Sequence, residues 1–188
     1  ISGIAVSNVG HCNPAVVRAI KDQVDHYMHL MVYGEYIQSP QVKLAEALVK
    51  STGTNTLNQV YFTNSGTEAV EGAMKLAKRY TGRTEFISCF NAYHGASQGA
   101  LSIAGDENFK NAFRPLLPDI QHIHHGCIGN LKKITKRTAA VVIEIVAGEA
   151  GVKIATKAYF QALRKRCDET GTLLIVDEIQ SGFGRTGT

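Results

Sequence analysis

The sequence predicts an α/β fold, a mostly parallel sheet covered by helices on both faces. Three observations carry this. Short apolar runs, "EFISCF" (85–90), "AAVVIEIV" (139–146) and "TLLIVDEI" (172–179), have the look of strands buried on both sides. A helix-length stretch, about 156–170, lies between the last two. The earlier helical segments carry their own start and stop signals. Alternating β and α units of this kind give a parallel sheet between two helical layers, a three-layer αβα arrangement.

In chain order, residues 13–27 predict a helix with Asn13 as N-cap and Pro14 at its first position. A second helix is expected over 41–50, with Val42, Ala45, Leu48 and Val49 on one face. "QVYFTN" (59–64) reads as a strand feeding a helix of about 66–80 that Gly82 closes. Ser65 and Glu68 form a capping box at that helix's start, Ser65 taking the Glu68 amide and Glu68 reaching back to the Ser65 amide. "DIQHIHH" (119–125) reads as a short edge strand.

With 188 residues, 44% of them hydrophobic and 19% charged, the chain is composed as an ordinary globular protein with a real core. The net charge of +4 is mild, and Lys132, Lys133, Lys136 and Arg137 read as a solvated helix face, so no nucleic-acid partner is expected. No apolar run approaches the ~20 residues of a membrane span, and no membrane partner is expected. Cys12, Cys89, Cys127 and Cys167 form no C-x-x-C pair and read as reduced cysteines of a cytoplasmic protein. No metal site is expected. The chain begins at Ile1 and stops at Thr188 in a Gly-rich loop, which reads as a piece of a longer polypeptide.

In parallel sheets ligands sit at the carboxyl ends of strands, so the residues following each strand are weighed first. Ser65-Gly66-Thr67 opens a helix; the amides and helix dipole there favour an anion, Gly66 permits close approach and Thr67 adds a hydroxyl. A capped helix and nothing more is the alternative. Tyr93-His94 follows the next strand, where Tyr93 offers a flat apolar face to a planar ligand or simply fills the core. Gly95-Ala96-Ser97-Gln98-Gly99 matches the G-x-S-x-G of α/β-hydrolases, but Ser97 lies about seven residues beyond its strand, too far for that turn. Glu144 stands inside an apolar run, needing either a cationic partner or a polar site, and Glu149 follows it. Asp177 emerges partly desolvated at the end of the last strand and needs a cation or several hydrogen bonds. The G-x-G-x-x-G at 182–187 is a weak dinucleotide signal, lacking the helix it should open and the distal acid.

A phosphate seat, a flat aromatic and an acid awaiting a cation fit one ligand, a planar, phosphorylated, cationic heterocycle. Pyridoxal 5'-phosphate is that molecule. At this point "NSGTEAVEGAMKLAKRYTGR" (64–83), "YHG" (93–95), "EIVAGEAGV" (144–152), "DEIQSGFGRTG" (177–187) and "SNVGHCNPAVVRAIKDQ" (7–23) together resemble the class III aminotransferases of the pyridoxal phosphate fold type I superfamily, among them acetylornithine and ornithine aminotransferases. The resemblance implies a fragment of that fold's large domain. Residues 1–40 would belong to the small domain and 41–188 to the N-terminal part of the cofactor-binding large domain.

It further implies that Ser65, Gly66 and Thr67 seat the phosphate and that Tyr93, with His94 beside it, stacks on the ring. Ile179 would pack the opposite face, Gln180 would contact the ring hydroxyl, and Glu144 would lie near the ring. Asp177, the catalytic residue, would pair as a carboxylate with the pyridinium nitrogen, and Glu149 would gate substrate. The implied activity is transfer of a terminal ω-amino group to a 2-oxo acid by a cytoplasmic homodimer. The lysine that attaches the cofactor would lie within about 30 residues past Asp177, one further βα unit, beyond Thr188. A mutase or decarboxylase of the same fold is the alternative, and a nucleotide-binding oxidoreductase a distant one. Glu144-Ile145 replaces the family's usual Glu-Pro, Ala147 its Gln, and Ala96 the Arg by which acetylornithine enzymes read a carboxylate.

Overall fold

The computed structural model describes residues 2–31 and 35–187, so residues 1 and 32–34 of the expected 1–40 segment lie outside the described residues. Two compact units divide at residues 62 and 63.

The first unit holds α1 (Pro14–His26) and α2 (Ser39–Ser51). α1 starts as expected: Asn13 Oδ1 accepts the Ala15 amide at 3.0 Å and Pro14 takes the first helical position, where a missing amide costs nothing. α2 runs one or two residues further at each end than the apolar pattern indicates, because Ser39 and Pro40 join its first turn. The strand expected at 59–64 does not form, and Tyr61 is 84% exposed. Its side chains have strand character, but a strand exists only through a ladder, and no described residue supplies one.

The second unit runs α3 (Gly66–Thr81), β1 (Glu85–Cys89), α4 (Gln98–Ile103), α5 (Glu107–Lys110), β2 (Ile120–Ile123), β3 (Thr138–Glu144), β4 (Val146–Ala147), β5 (Lys153–Ile154), α6 (Lys157–Thr170) and β6 (Leu173–Asp177). The main sheet has the order β2-β1-β3-β6 with every pair parallel, and β2 is the edge strand the sequence indicates. The run 139–146 is not one strand. β3 ends at Glu144, whose Oε1 accepts the Gly148 amide at 3.3 Å, and Val146 pairs instead with Ile154 in an antiparallel β4–β5 ribbon.

Period-two alternation along β3 explains the layers. Ala140 and Val142, with Phe86 of β1, meet Val70, Met74 and Ala77 of α3 and Ala100 and Ile103 of α4. Val141 and Ile143, with Ile87 and Cys89, meet Tyr159, Leu163 and Cys167 of α6. Both helices present residues three or four apart, one stripe each. α3 and α6 end on Gly82 (φ 69) and Gly171 (φ 62), left-handed positions that glycine takes without strain. At the amino end of the sheet, Arg83 Nη1 donates to the carbonyls of Thr138, Thr170 and Gly171, tying β3 to the end of α6. No helix among the described residues is long and apolar enough to cross a membrane.

Candidate functional site

Because β1, β3 and β6 are parallel, their carboxyl ends open on one edge, and the register sets Glu144 beside Asp177. Asp177 is only 8% exposed. Its Oδ1 accepts the Ile179 amide at 3.0 Å, and its Oδ2 lies 2.7 Å from His94 Nδ1. An ionised carboxylate only accepts, so the shared proton sits on Nδ1. The hydrogen bonds that Asp177 needs therefore come from its own loop and from the residue after Tyr93. His94 Nε2, Glu144 Oε2 and Ser181 Oγ are buried without a partner among the described residues, an arrangement that a bound ligand or water resolves.

The loop after β6 is where three neighbours meet. Asp177 holds His94, which arrives from β1. Ile179 lies so close to the start of α3 that a Cβ on Gly66 would sit 2.8 Å from Ile179 Cδ1. Gln180 occupies the space that a Cβ on Gly148 would need. One short segment, 177–180, thus touches the α3 N-terminus, the β1 loop and the β3–β4 corner.

At α3, Ser65 Oγ accepts the Glu68 amide at 3.3 Å as the capping box requires. Glu68 itself reaches one residue further back than expected, accepting the Asn64 amide at 2.7 Å. The Gly66 and Thr67 amides have no partner among the described residues and face outward at the positive end of a 16-residue helix. The Thr67 hydroxyl is not a spare donor: it accepts the Ser97 amide at 3.1 Å and lies 2.5 Å from Ser97 Oγ. Tyr93 is 37% exposed, its ring 5.5 Å from that of Phe109. Glu149 lies exposed in the turn of the β4–β5 ribbon.

Two other motifs resolve here. Ser97 bonds to Thr67 and Glu71, with no histidine in reach of a catalytic hydrogen bond among its partners. Residues 182–187 continue in tight turns, with Gly182, Arg185 and Gly187 amides bonded to Glu178, Gly182 and Gly184 carbonyls, and no described helix opens there. Cys89, at the end of β1, is no nucleophile either: burial, then the nearby Glu144, pushes its thiol up to about 12.

Burial raises the Glu144 carboxyl above its ordinary value, partly offset by the Gly148 amide and His94, with Asp177 and Glu149 raising it further. Where a carboxyl's native pKa is raised, the native state binds more protons than the unfolded state across that window, so stability falls as pH rises through it. Glu144→Gln is therefore expected to melt higher than wild type at neutral pH when no cofactor is bound. The gain should fade as pH drops below the ordinary value of 4.5. Thermal melts across pH check this, and a variant that melts lower at every pH would show that the charge is well accommodated.

Sequence reasoning missed Glu71 and weighed Ser97 only as a hydrolase nucleophile, although Thr67 and Glu71 stand four apart on one helix face, a spacing that marks neighbours.

The parallel sheet between two helical layers, with its strand-end cluster, defines the fold of the pyridoxal phosphate-dependent transferases. A Pseudomonas amine transaminase in its PLP-bound form shares it at TM-score 0.92 and 28% identity, over all of this chain and 49% of that one. The ornithine aminotransferase of Toxoplasma gondii does so at TM-score 0.88 and 28% identity, over 100% and 46%. The chain belongs to the aminotransferase class-III family, whose pattern it matches over residues 1–188. It is 46% identical to the acetylornithine aminotransferase of Methanopyrus kandleri over all of its own length and 48% of that protein's. It thus spans about half the length of the curated relatives it matches.

Proposed function

We propose that the full-length protein uses pyridoxal 5'-phosphate to move a terminal ω-amino group from a small-molecule donor to a 2-oxo acid. The observation that carries this reading is the convergence of the α3 start, the His94 loop and the β3–β4 corner on 177–180. The residues present fit the cofactor. Two free amides, those of Gly66 and Thr67, suit its phosphate. Asp177, nearly buried and hydrogen-bonded by the Ile179 amide and His94, suits a protonated ring nitrogen. Tyr93 and Ile179 offer apolar faces, and Gln180 an amide for the ring hydroxyl. When bound, the cofactor supplies the sink for the electrons released as the substrate loses a proton. Asp177 would hold the proton on the ring nitrogen, His94 would orient Asp177, and Glu149 would stand at the substrate's approach.

In this reading 1–40 belongs to a small domain, 41–188 begins the large domain, and the protein works as a cytoplasmic homodimer. The Ala96 side chain ends at Cβ, so a distal carboxylate on the donor is read by another residue. The test is full-length protein titrated with pyridoxal phosphate and given ω-amino donors with 2-oxoglutarate, products followed by mass. Near-visible absorbance on binding, and nitrogen appearing on the acceptor, are expected. An isomerised or decarboxylated donor with no amino product would overturn the transfer reading.

A further inference from the structure

We propose that Glu71 is a positioning residue for the cofactor cradle: through Ser97 and Thr67 it locks the Tyr93–His94 loop across the first turn of α3. This rests on the amino-transfer reading, since it gives Glu71 a task in that site. One oxygen, Glu71 Oε1, accepts three donors: Ser97 Oγ at 2.6 Å and the Gly99 and Ala100 amides at 2.7 and 3.1 Å. Ser97 spends its proton on that carboxylate. The Thr67 hydroxyl accepts the Ser97 amide, so its own proton goes to Ser97 Oγ. The result is a directed chain, Thr67 to Ser97 to Glu71, closed by the amide returning to Thr67. Burial alone would raise the Glu71 carboxyl, but the Ser97 hydroxyl, the Ala100 and Gly99 amides and Lys75 outweigh it and hold the group below the usual range. The acceptor end of the chain is thus a charge, which strengthens every bond to it.

The G-x-S-x-G match acquires a purpose. Gly95 has φ +128, and a Cβ there would lie 2.5 Å from Thr67 Oγ1 and 2.9 Å from its Cα. A Cβ on Gly99 would overlap the Glu71 carboxylate. Both glycines are close-approach positions and the serine is the link between them. The loop's other flank is held by Gly105, which bonds to Asn91 and Ala92 in both directions. Tyr93 and His94 therefore lie between two fixed points, one of them on the turn that offers the Gly66 and Thr67 amides. Ring platform, Asp177 orienter and phosphate seat share one anchor.

The experiment measures cofactor affinity, and the induced circular dichroism of the bound cofactor, in full-length wild type, Glu71→Gln, Ser97→Ala and the double variant. Gln keeps the shape and, with its oxygen in the place of Oε1, can still accept from Ser97, Gly99 and Ala100, but it removes the charge that strengthens those bonds. Expected is a loss of affinity on the order of tenfold, the usual scale for groups that orient a ligand's direct contacts, with altered dichroism at saturating cofactor. Ser97→Ala leaves the Gly99 and Ala100 bonds intact, so it decides the matter if Glu71→Gln folds poorly. Adding it to Glu71→Gln should cost little more. Arg83→Ala, which loosens the opposite end of the sheet, should lower the melting temperature without changing the dichroism. Wild-type affinity and dichroism in both Glu71→Gln and Ser97→Ala would overturn the proposal. A wild-type protein that takes up no pyridoxal phosphate would instead overturn the amino-transfer reading itself.

Discussion

Asp177→Asn in the full-length protein should keep the cofactor bound and slow amino transfer by at least about a hundredfold, ~2.7 kcal/mol of barrier at ~1.4 kcal/mol per tenfold. The proposed phosphate seat at α3 is untouched by the change, so affinity should fall far less than rate. What would disappear is the negative charge proposed to hold a proton at the ring nitrogen. The structure adds a second consequence. Both carboxylate oxygens are used, one by the Ile179 amide and one by His94 Nδ1–H. Asparagine has a single oxygen, so one of these donors must face an NH2 group. The Ile179 amide cannot change its role, whereas His94 can move its proton to Nε2, which is buried without a partner among the described residues. The His94 tautomer should therefore flip, visible in its nitrogen chemical shifts. Gly184→Ala and Gly187→Ala are the comparison: both positions have positive φ (77 and 90) but open space around them, so each costs about 1–2 kcal/mol of local strain with little effect on chemistry. Gly182→Ala is a poorer control, since its Cβ would lie 2.8 Å from the Glu178 carbonyl oxygen, next to the site. Glycine variants that abolish cofactor binding, with Asp177→Asn at full rate, would mean the 182–187 motif is the working element.

What the sequence made legible was local or periodic. Asn13-Pro14, Ser65 and Gly82 mark helix ends through bonds spanning two to four residues, and the structure puts α1 and α3 within a residue of those marks. β1 and β3 are apolar on both faces because helices cover both faces, so their composition records their burial; β6, at the sheet's other edge, has the same composition but is only partly buried, with Val176 42% exposed. Asp177 stood out for the same reason: a charge at the end of such a run is conspicuous. The failures are long-range. Residues 59–64 have strand composition, but pairing depends on a neighbour that the segment does not specify. His94 and Asp177 are 83 residues apart in sequence, and Glu71 and Ser97 are 26 apart, so no pattern within either stretch predicts the contact. The capping box was right in kind and wrong by one residue at its Glu end, which is the limit of a rule that assumes an average backbone at the cap.

Gly66→Val should weaken cofactor binding by roughly tenfold to a hundredfold, the loss of one hydrogen bond to a charged group at ~1.5–3 kcal/mol. The reason first read from sequence is that a branched side chain would intrude where the phosphate approaches the amides. The structure supplies a rival cause, because the new Cβ would lie 2.8 and 3.0 Å from Ile179 Cδ1 and Cγ2. Ile179 is 57% exposed and can swing away, but in doing so it leaves the position from which it would pack the ring. Two mechanisms thus predict the same loss, and Ile179→Ala separates them. That variant alone removes the packing, and Gly66→Val added to it meets no isoleucine. If the phosphate seat is real, the double variant still binds much more weakly than Ile179→Ala, because the valine continues to block the Gly66 and Thr67 amides. Inorganic phosphate, competing for the seat in apo-protein, should show the same order of affinities. If instead the double variant binds the cofactor as well as Ile179→Ala does, Gly66 is glycine only to make room for Ile179. The start of α3 would then be a capped helix end with no anion to hold.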